Sequence, residues 1–166
     1  MMVREINVSD AENLVHLIRE VEEESEFMLM EAGERQLTTE QQRIRIENMK
    51  KSENSTIFVV EKGNNLVGYL FAMGGTARRT KHAVYIVIGL LKDYRGQGIG
   101  TKLFVRLEEW ARNRGIHRLE LTTVTKNEPG VALYKKMGFE IEGTKRDSLF
   151  IDGEYVDEYY MSKLLD

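Results

Sequence analysis

A strand, a glycine-rich loop and a helix follow one another between residues 83 and 114, and this order constrains the fold most. Ala83 to Leu91 is almost continuously apolar and rich in valine and isoleucine, which is typical of a strand buried on both faces. A second apolar strand, Leu119 to Thr125, follows the helix. Two strands joined through a helix form a parallel crossover, so the sequence predicts an α/β fold.

The flanking segments complete the predicted order of elements, β-α-α-β-β-β-α-β-α-β-β, in a mixed sheet with an antiparallel first half. The remaining predicted strands are Val3–Asn7, Thr56–Val60, Leu66–Met73, Phe139–Glu142 and Glu154–Met161. A polar segment with a turn at Asp152-Gly153 is expected between the last two strands. The predicted helices end near Glu24, begin at Thr38 or Thr39, and cover about Ile99–Arg114 and Val131–Met137. The buried stripe of the third helix is expected to be Leu103, Leu107, Trp110 and Ala111.

Length, charge and cysteine content narrow the class of protein. The 166 residues suit a single domain over 1–166, and a net charge of -3 argues against nucleic acid as a partner. The chain has no cysteine, which excludes disulfides, thiolate metal sites and a cysteine acyl-enzyme. No segment reaches the roughly 18 apolar residues of a membrane span, and Met1–Glu5 has no apolar run of signal-peptide type. We therefore expect a cytoplasmic protein without metal or membrane association.

Three alternating glycines lie in the loop Arg95-Gly96-Gln97-Gly98-Ile99-Gly100-Thr101. Glycine lets the backbone turn sharply and approach a ligand closely. The following helix directs its free N–H groups and its positive dipole end into the loop. This arrangement predicts a phosphate or pyrophosphate site, with Lys102 and Arg106 expected to add positive charge at its rim.

The spacing of the loop excludes two common phosphate-binding motifs. A Walker loop needs G-x-x-x-x-G-K-[ST], whereas Gly96 to Gly100 is one residue short and Thr101-Lys102 has the reverse order. A dinucleotide fingerprint needs a third glycine where the chain has Leu103 or Thr101. A tight turn without any ligand remains an alternative.

These residues resemble the GNAT family of N-acetyltransferases, and the resemblance covers roughly Thr56 to Leu165. The family's loop [Q/R]-x-x-G-x-[G/A] is matched by Arg95, Gly98 and Gly100. Its downstream pattern N-x(6)-Y-x(3)-G-F is matched by Asn127, Tyr134, Gly138 and Phe139. One departure is a lysine, Lys92, where the family commonly has proline before the loop.

The resemblance implies a GNAT-like mixed central sheet with a splayed central strand and helices on both faces. It also implies acetyl-CoA as co-substrate, with its pyrophosphate on the loop amides and its pantetheine arm along the backbone of Leu90 and Leu91. Gly89 then marks a bulge or a close backbone approach. Asn127 is expected to contact the pantetheine arm, and a helix N-cap is an equally good interpretation of this residue.

The family's reaction is acetyl transfer to a primary amine by direct attack in a ternary complex. Tyr134 is the candidate general acid, because a phenol with a pKa near 10 keeps a proton at neutral pH. The alternative is a packing aromatic, although Leu133 and Met137 are expected to take the buried positions of its helix and to leave Tyr134 on the flank. Glu31 and His82 are candidates for the general base, and each is also interpretable as an ordinary surface residue.

The acceptor is left open among small amines, polyamines, amino acids, antibiotics and protein N-termini. The acidic run between Glu20 and Glu26 favours a cationic acceptor or is simply a solvated helix face. Family habit favours a homodimer. The rival function is a non-catalytic acyl-CoA-binding or sensing module on the same fold, which would need no proton donor.

Overall fold

A computed structural model describes all residues, 1–166, as a seven-stranded sheet flanked by four α-helices. The strands are β1 Met2–Glu5, β2 Thr56–Lys62, β3 Asn65–Gly74, β4 Ala83–Leu90, β5 Arg118–Val124, β6 Glu140–Ile151 and β7 Glu154–Leu164. The helices are α1 Ala11–Glu24, α2 Thr39–Lys51, α3 Ile99–Asn113 and α4 Glu128–Lys136. This is the predicted order of elements. No helix has both the length and the apolar character that crossing a membrane requires.

The sheet is mixed and opens in its middle. Its strand order is β1-β2-β3-β4-β5-β7-β6, in which every neighbouring pair is antiparallel except β4 and β5. The parallel pairing extends only from Ala83 opposite Arg118 to Tyr85 opposite Glu120. Beyond Tyr85, residues 86–90 of β4 have no partner on the β5 side. The predicted splayed central strand is therefore confirmed, and we call this opening the gap.

Two hydrophobic cores cover the two faces of the sheet. Successive side chains of a strand point to opposite faces, and β2 shows this directly. Ile57 and Val59 pack in the core beneath α1 and α2, on what we call the α1–α2 face. Phe58 and Val60 pack in the core with α3 and α4, on the α3–α4 face. Helices thus cover both faces of the sheet, as expected.

Local capping signals define three of the helix ends. Thr38 caps α2 through its hydroxyl, which accepts from the N–H of Gln41 at 3.1 Å. In return, the N–H of Thr38 donates to the side-chain oxygen of Gln41 at 2.9 Å. Gly115 ends α3 in the left-handed conformation at φ 69°. Asn127 caps α4 by accepting from the N–H of Gly130 at 3.2 Å. The predicted buried stripe of α3 is confirmed, with Phe104 as a further buried member.

The strand β6 is much longer than predicted. The sequence placed a strand over Phe139–Glu142 followed by a polar segment, whereas β6 continues to Ile151. Most of its side chains are exposed or half-buried on both faces, so its sequence has no alternation of apolar and polar residues to indicate a strand. Pairing with β7 through the Asp152-Gly153 turn holds it in place, with two shifts of register.

The predicted bulge at Gly89 is wrong, because the pairing of β3 with β4 is regular from Gly68 opposite Leu90 to Gly74 opposite Val84. A close approach does occur there, but it comes from a side chain. A Cβ atom at Gly89 would lie 2.5 Å from Cζ and 2.6 Å from the hydroxyl oxygen of Tyr69. Glycine therefore makes room for the buried Tyr69 ring against β4.

Replacing Gly89 with alanine is expected to lower the free energy of unfolding by about 1–3 kcal/mol, because the new methyl group overlaps a buried ring. Chemical denaturation measures this change. Gly143→Ala is the matched control, since no atom lies within 4 Å of its Cβ position, and it should be neutral or stabilising by up to about 1 kcal/mol. Equal behaviour of the two variants would contradict the packing role of Gly89.

Candidate active site

The backbone of β4 turns alternate N–H groups towards the gap. The Leu91 N–H donates to the Val67 carbonyl at 3.0 Å, on the β3 side, whereas the His82 carbonyl accepts from the N–H of His117 at 2.9 Å, on the β5 side. Because direction alternates along a strand, the N–H groups of Ile88 and Leu90 face the gap beyond the last pair with β5. An extended chain lying in the gap can bond to them as an added strand would.

Leu90 and Leu91, both predicted to contact the pantetheine arm, therefore differ in what they offer. Leu90 directs its N–H into the gap. The Leu91 N–H is already used by Val67, and the Leu91 carbonyl accepts from the N–H of Tyr94 at 2.9 Å. Of the two, only Leu90 is available to bond along the gap or to polarise a carbonyl there.

The glycine loop offers six consecutive N–H groups, from Gly96 to Thr101, that donate to no acceptor in the protein. The first helical bond of α3 is from the N–H of Lys102 to the Gly98 carbonyl, at 3.2 Å. Gly96 and Gly98 adopt left-handed conformations with φ of 73° and 80°. Their Cβ positions have no atom within 4 Å, so the loop is open to solvent and fits a pyrophosphate.

The cations near the loop differ in part from those predicted. Arg95 and Lys102 are exposed and form no ion pair. Arg106 is directed elsewhere, with its guanidinium 5.2 Å above the Phe58 ring. The sequence missed Lys136, whose Nζ lies 3.4 Å from the Thr101 hydroxyl oxygen. The only indication of Lys136 in the sequence was that it lies on the short helix that carries the second family motif.

Close packing of α3 on α4 brings Lys136 to the loop. A Cβ atom at Gly100 would lie 2.7 Å from Cδ2 of Leu133, so the lack of a side chain at Gly100 lets Leu133 of α4 pack directly against the start of α3. The three glycines thus have two functions. Two of them shape the open loop, and the third seats α4 against the start of α3.

Tyr134 is buried, with 8% of its surface exposed, which corrects its expected place on the flank of α4. Its ring packs edge-on against Phe104 at 5.8 Å between centroids and also contacts Phe139 at 6.3 Å. Leu133 and Met137, expected to be buried, are only half-buried. The predicted packing role is therefore real, but the Tyr134 hydroxyl has no hydrogen-bond partner in the protein and so remains free to act on a ligand.

Burial raises the pKa of Tyr134 to about 12, with a smaller contribution from Tyr85. Tyr85 occupies the last paired position of β4, and its hydroxyl lies 2.6 Å from that of Thr122 on β5. Tyr134 packs in the core that also contains Ile86 of β4, with Ile88 against its edge, so its ring lies on the α3–α4 face beside the strand that borders the gap. The Tyr85–Thr122 bond could not be predicted from the sequence, since it depends on how the two strands align.

Neither predicted general base is held in the gap. His82 precedes β4 at the end away from the opening, and its ring lies 6.4 Å from that of His117. Glu31 is exposed in the 25–38 loop between α1 and α2, and its carboxylate has no hydrogen-bond partner. Glu120, opposite Tyr85, is a carboxylate at the apex that the sequence did not single out, and Arg118 binds it at 2.6 Å. No group of three or more histidine or acidic side chains is arranged to hold a metal.

Replacing Gly98 with alanine is expected to weaken acetyl-CoA binding roughly 5- to 30-fold, because a left-handed alanine costs about 1–2 kcal/mol. Relaxing that strain would turn the loop amides away from the ligand. Calorimetric titration with acetyl-CoA measures the effect. Gly33→Ala is the matched control, since Gly33 also has a left-handed φ, 77°, and open space around Cβ. Equal affinities of the two variants would contradict the role of the loop.

Stability should fall with rising pH above pH 10 because of Tyr134. The unfolded chain releases the phenol proton near its ordinary pKa of 10, whereas the folded protein holds it to about 12. The stabilisation by the neutral phenol is complete below pH 10 and declines by about 2–3 kcal/mol as pH rises to the folded pKa. Denaturation curves of the native protein and Tyr134→Phe should therefore show a stability difference that changes across this range. A difference independent of pH would contradict the burial of the hydroxyl.

Sequence comparisons agree with this geometry. Residues 16–139 match the model of the acetyltransferase (GNAT) family, which is well over half of the chain. The chain is 34% identical over 101 residues to the L-amino acid N-acetyltransferase AaaT of Escherichia coli K12. That match covers 60% of this chain and 62% of the relative, so it spans less than two thirds of the relative's length.

Solved structures show the same fold. An acetyltransferase of the GNAT family from Streptococcus pneumoniae superposes with a TM-score of 0.96 at 30% identity, over 99% of both chains. The yncA protein of Salmonella typhimurium, solved with acetyl-CoA, superposes with a TM-score of 0.89 at 18% identity, over 100% of this chain and 94% of that one. The family match, the gap between β4 and β5 and the open glycine loop together show that this chain belongs to the GNAT family of acetyltransferases.

Proposed function

We propose that this chain is an N-acetyltransferase that moves the acetyl group of acetyl-CoA to a primary amine by direct attack within a ternary complex. The observation that carries the proposal is the hydroxyl of Tyr134, which has no partner in the protein although its ring is buried in the core beside β4. A module that only binds an acyl-CoA would have no use for such a proton donor.

The residues of the gap and the loop fit acetyl-CoA. The amides of Gly96 to Thr101 suit the pyrophosphate, and Lys136 adds a cation beside them. The N–H groups of Ile88 and Leu90 suit the amide carbonyls of the pantetheine arm. The N–H of Leu90 or Ile88 also suits the thioester carbonyl, where a donor stabilises developing negative charge. When bound, acetyl-CoA supplies the activated acetyl group.

Tyr134 supplies the proton that the departing sulfur needs. In the transfer, the amine nitrogen forms a bond to the acetyl carbon, the carbon–sulfur bond breaks, and the sulfur takes the phenol proton. The proton lost by the amine returns through water to the phenolate. Because its pKa is raised to about 12, Tyr134 is fully protonated at neutral pH. The absence of cysteine supports direct attack over a thiol relay.

The acceptor approaches the gap from the α1–α2 face, where the apex residues Tyr85 and Thr122 lie. Small amines, polyamines and protein N-termini are candidate acceptors. Amino acids are a further candidate class, and the Escherichia coli relative is named for L-amino acids.

Release of free thiol from acetyl-CoA tests the proposal directly. The protein has no cysteine, so a thiol reagent detects only the CoA product. We expect amine-dependent thiol release with a panel of primary amines. Tight binding of acetyl-CoA without thiol release for any small amine or N-terminal peptide would favour the sensing module instead.

Replacing Tyr134 with phenylalanine is expected to lower kcat roughly 100-fold or more and to leave acetyl-CoA affinity unchanged, because the ring and its packing are kept. Steady-state kinetics and calorimetry measure the two quantities. Tyr155→Phe is the control, since Tyr155 is 67% exposed at the β6–β7 hairpin. A parallel loss of kcat and affinity, or no loss of kcat, would contradict the role of the phenol as general acid.

A further inference from the structure

Arg45 on α2 stands apart from the other half-buried arginines. Six arginines of the chain are half-buried, and five of them lie within 4.0 Å of a carboxylate oxygen: Arg4, Arg35, Arg43, Arg106 and Arg118. Arg45 has no carboxylate within that distance. Removing a guanidinium from water without a counterion is costly, so this exception calls for a physical cause.

The guanidinium of Arg45 has few partners within the protein. Its guanidinium carbon lies 4.7 Å above the centre of the Phe71 ring, and one Nη2 lies 3.5 Å from the Met73 sulfur. A thioether is a weak acceptor, and a guanidinium has five N–H donors, so most of its bonding capacity is unused. Gln42, one helical turn earlier, is fully buried, and neither of its side-chain polar atoms has a partner in the protein. Both residues of α2 therefore have hydrogen-bonding groups that the protein leaves unused.

A second arginine adds to the positive charge around Arg45. The pKa of Arg45 lies below its ordinary value, first because of burial and then because of the charge of Arg35. Arg35 itself binds Glu22 at 3.0 Å, and Glu22 is almost fully buried. Arg35 and Arg45 thus bring two positive charges to this face, and the one carboxylate there, Glu22, binds Arg35 alone. The net positive charge that remains is one that an anion would neutralise.

Arg45 lies on the same face of the sheet as the proposed approach of the acceptor. Phe71 and Met73 pair with Val87 and Tyr85 of β4 on the α1–α2 face, and β4 borders the gap. Arg45, above Phe71, is therefore about two strand spacings, roughly 10 Å, from the gap. It lies at the level of the apex, whereas the glycine loop follows the opposite end of β4. A bound anion at Arg45 would therefore belong to the acceptor and not to the phosphates of CoA.

Solvent reaches this position from outside. Arg45 lines an open depression of about 370 Å³ along α2, together with Gln41, Asn48 and Ser55. The depression provides a path by which a small charged molecule can reach the guanidinium.

We propose that Arg45 binds a carboxylate of the acceptor, so that the substrate class is amino acids whose reacting primary amine is on the side chain, far enough from the carboxylate to span the roughly 10 Å to the gap. This inference rests on the proposed acetyltransferase function. A guanidinium binds a carboxylate through two parallel N–H···O bonds, which would use the unfilled donors and fix the direction of the molecule. The amine would then point along the α1–α2 face towards the gap.

The test compares L-amino acids that carry a side-chain amine, such as L-lysine, with their carboxamides, which keep the amine and the side chain but lack the negative charge. For the native protein we expect kcat/KM to be roughly 10- to 100-fold higher for the acid, the range of a charge-assisted hydrogen-bonded pair. Arg45→Met should raise KM for the acid by a similar factor and leave KM for the carboxamide and for acetyl-CoA unchanged. Arg45→Lys should restore part of the preference.

Arg43→Met is the matched control, because Arg43 lies on the same helix but is paired with Glu40 and Glu47. It should not change the preference for acid over carboxamide. Calorimetric titration of the CoA-bound protein with the same amino acids reports binding independently of turnover, so a slow reaction still gives an answer.

Three results would overturn the inference. The first is an equal kcat/KM for the acid and the carboxamide, and the second is an equal rise of KM for both in Arg45→Met. The third is that no amino acid binds to the native protein. Preference for a polyamine over every amino acid would overturn it as well. Failure of the acetyltransferase function has a different signature, which is the absence of thiol release with every amine even though acetyl-CoA binds.

Discussion

The short parallel contact between β4 and β5 is the interaction on which the rest of the site depends. Only the stretch from Ala83 to Tyr85 pairs with β5, and the Tyr85–Thr122 bond holds the strands together where that pairing stops. Beyond this point β4 stays bonded to β3, so it remains extended while its other edge is free. A longer contact would close the gap, and a shorter one would leave the strand edge without a fixed apex.

The two cores position the two reacting partners from opposite faces of the sheet. On the α3–α4 face, Phe104 and Phe139 hold the ring of Tyr134, and the glycine loop leads into α3. On the α1–α2 face, Tyr69 and Phe71 pack in the core beneath α1 and α2, and Arg45 of α2 lies above the Phe71 ring. In our proposal the proton donor and the acceptor meet only through the gap. Each helix layer can then vary without disturbing the other, because the sheet separates them.

Features that depend on neighbouring residues could be predicted from the sequence. The glycine loop, the buried stripe of α3 and the caps at Thr38 and Asn127 follow from local chemistry, and all are present. The length of β6 could not be predicted, because a strand exposed on both faces shows no alternation. Contacts between distant residues also gave no signal: Arg45 and Met73 are 28 positions apart, and Tyr85 and Thr122 are 37 apart. The position of His82 relative to the gap could not be predicted either, because only the pairing of β4 with β5 determines which end of β4 opens.

Amide hydrogen exchange with and without acetyl-CoA tests the central claim most directly, since it reports on single N–H groups. On addition of acetyl-CoA, the amides of Ile88 and Leu90 and those of Gly96–Thr101 should gain protection. Val87, Gly89 and Leu91, whose N–H groups face β3, should show little change. Protection confined to another part of the chain would contradict the binding of acetyl-CoA in the gap. An equal gain of protection at successive residues of β4, with no difference between the two edges of the strand, would contradict it as well.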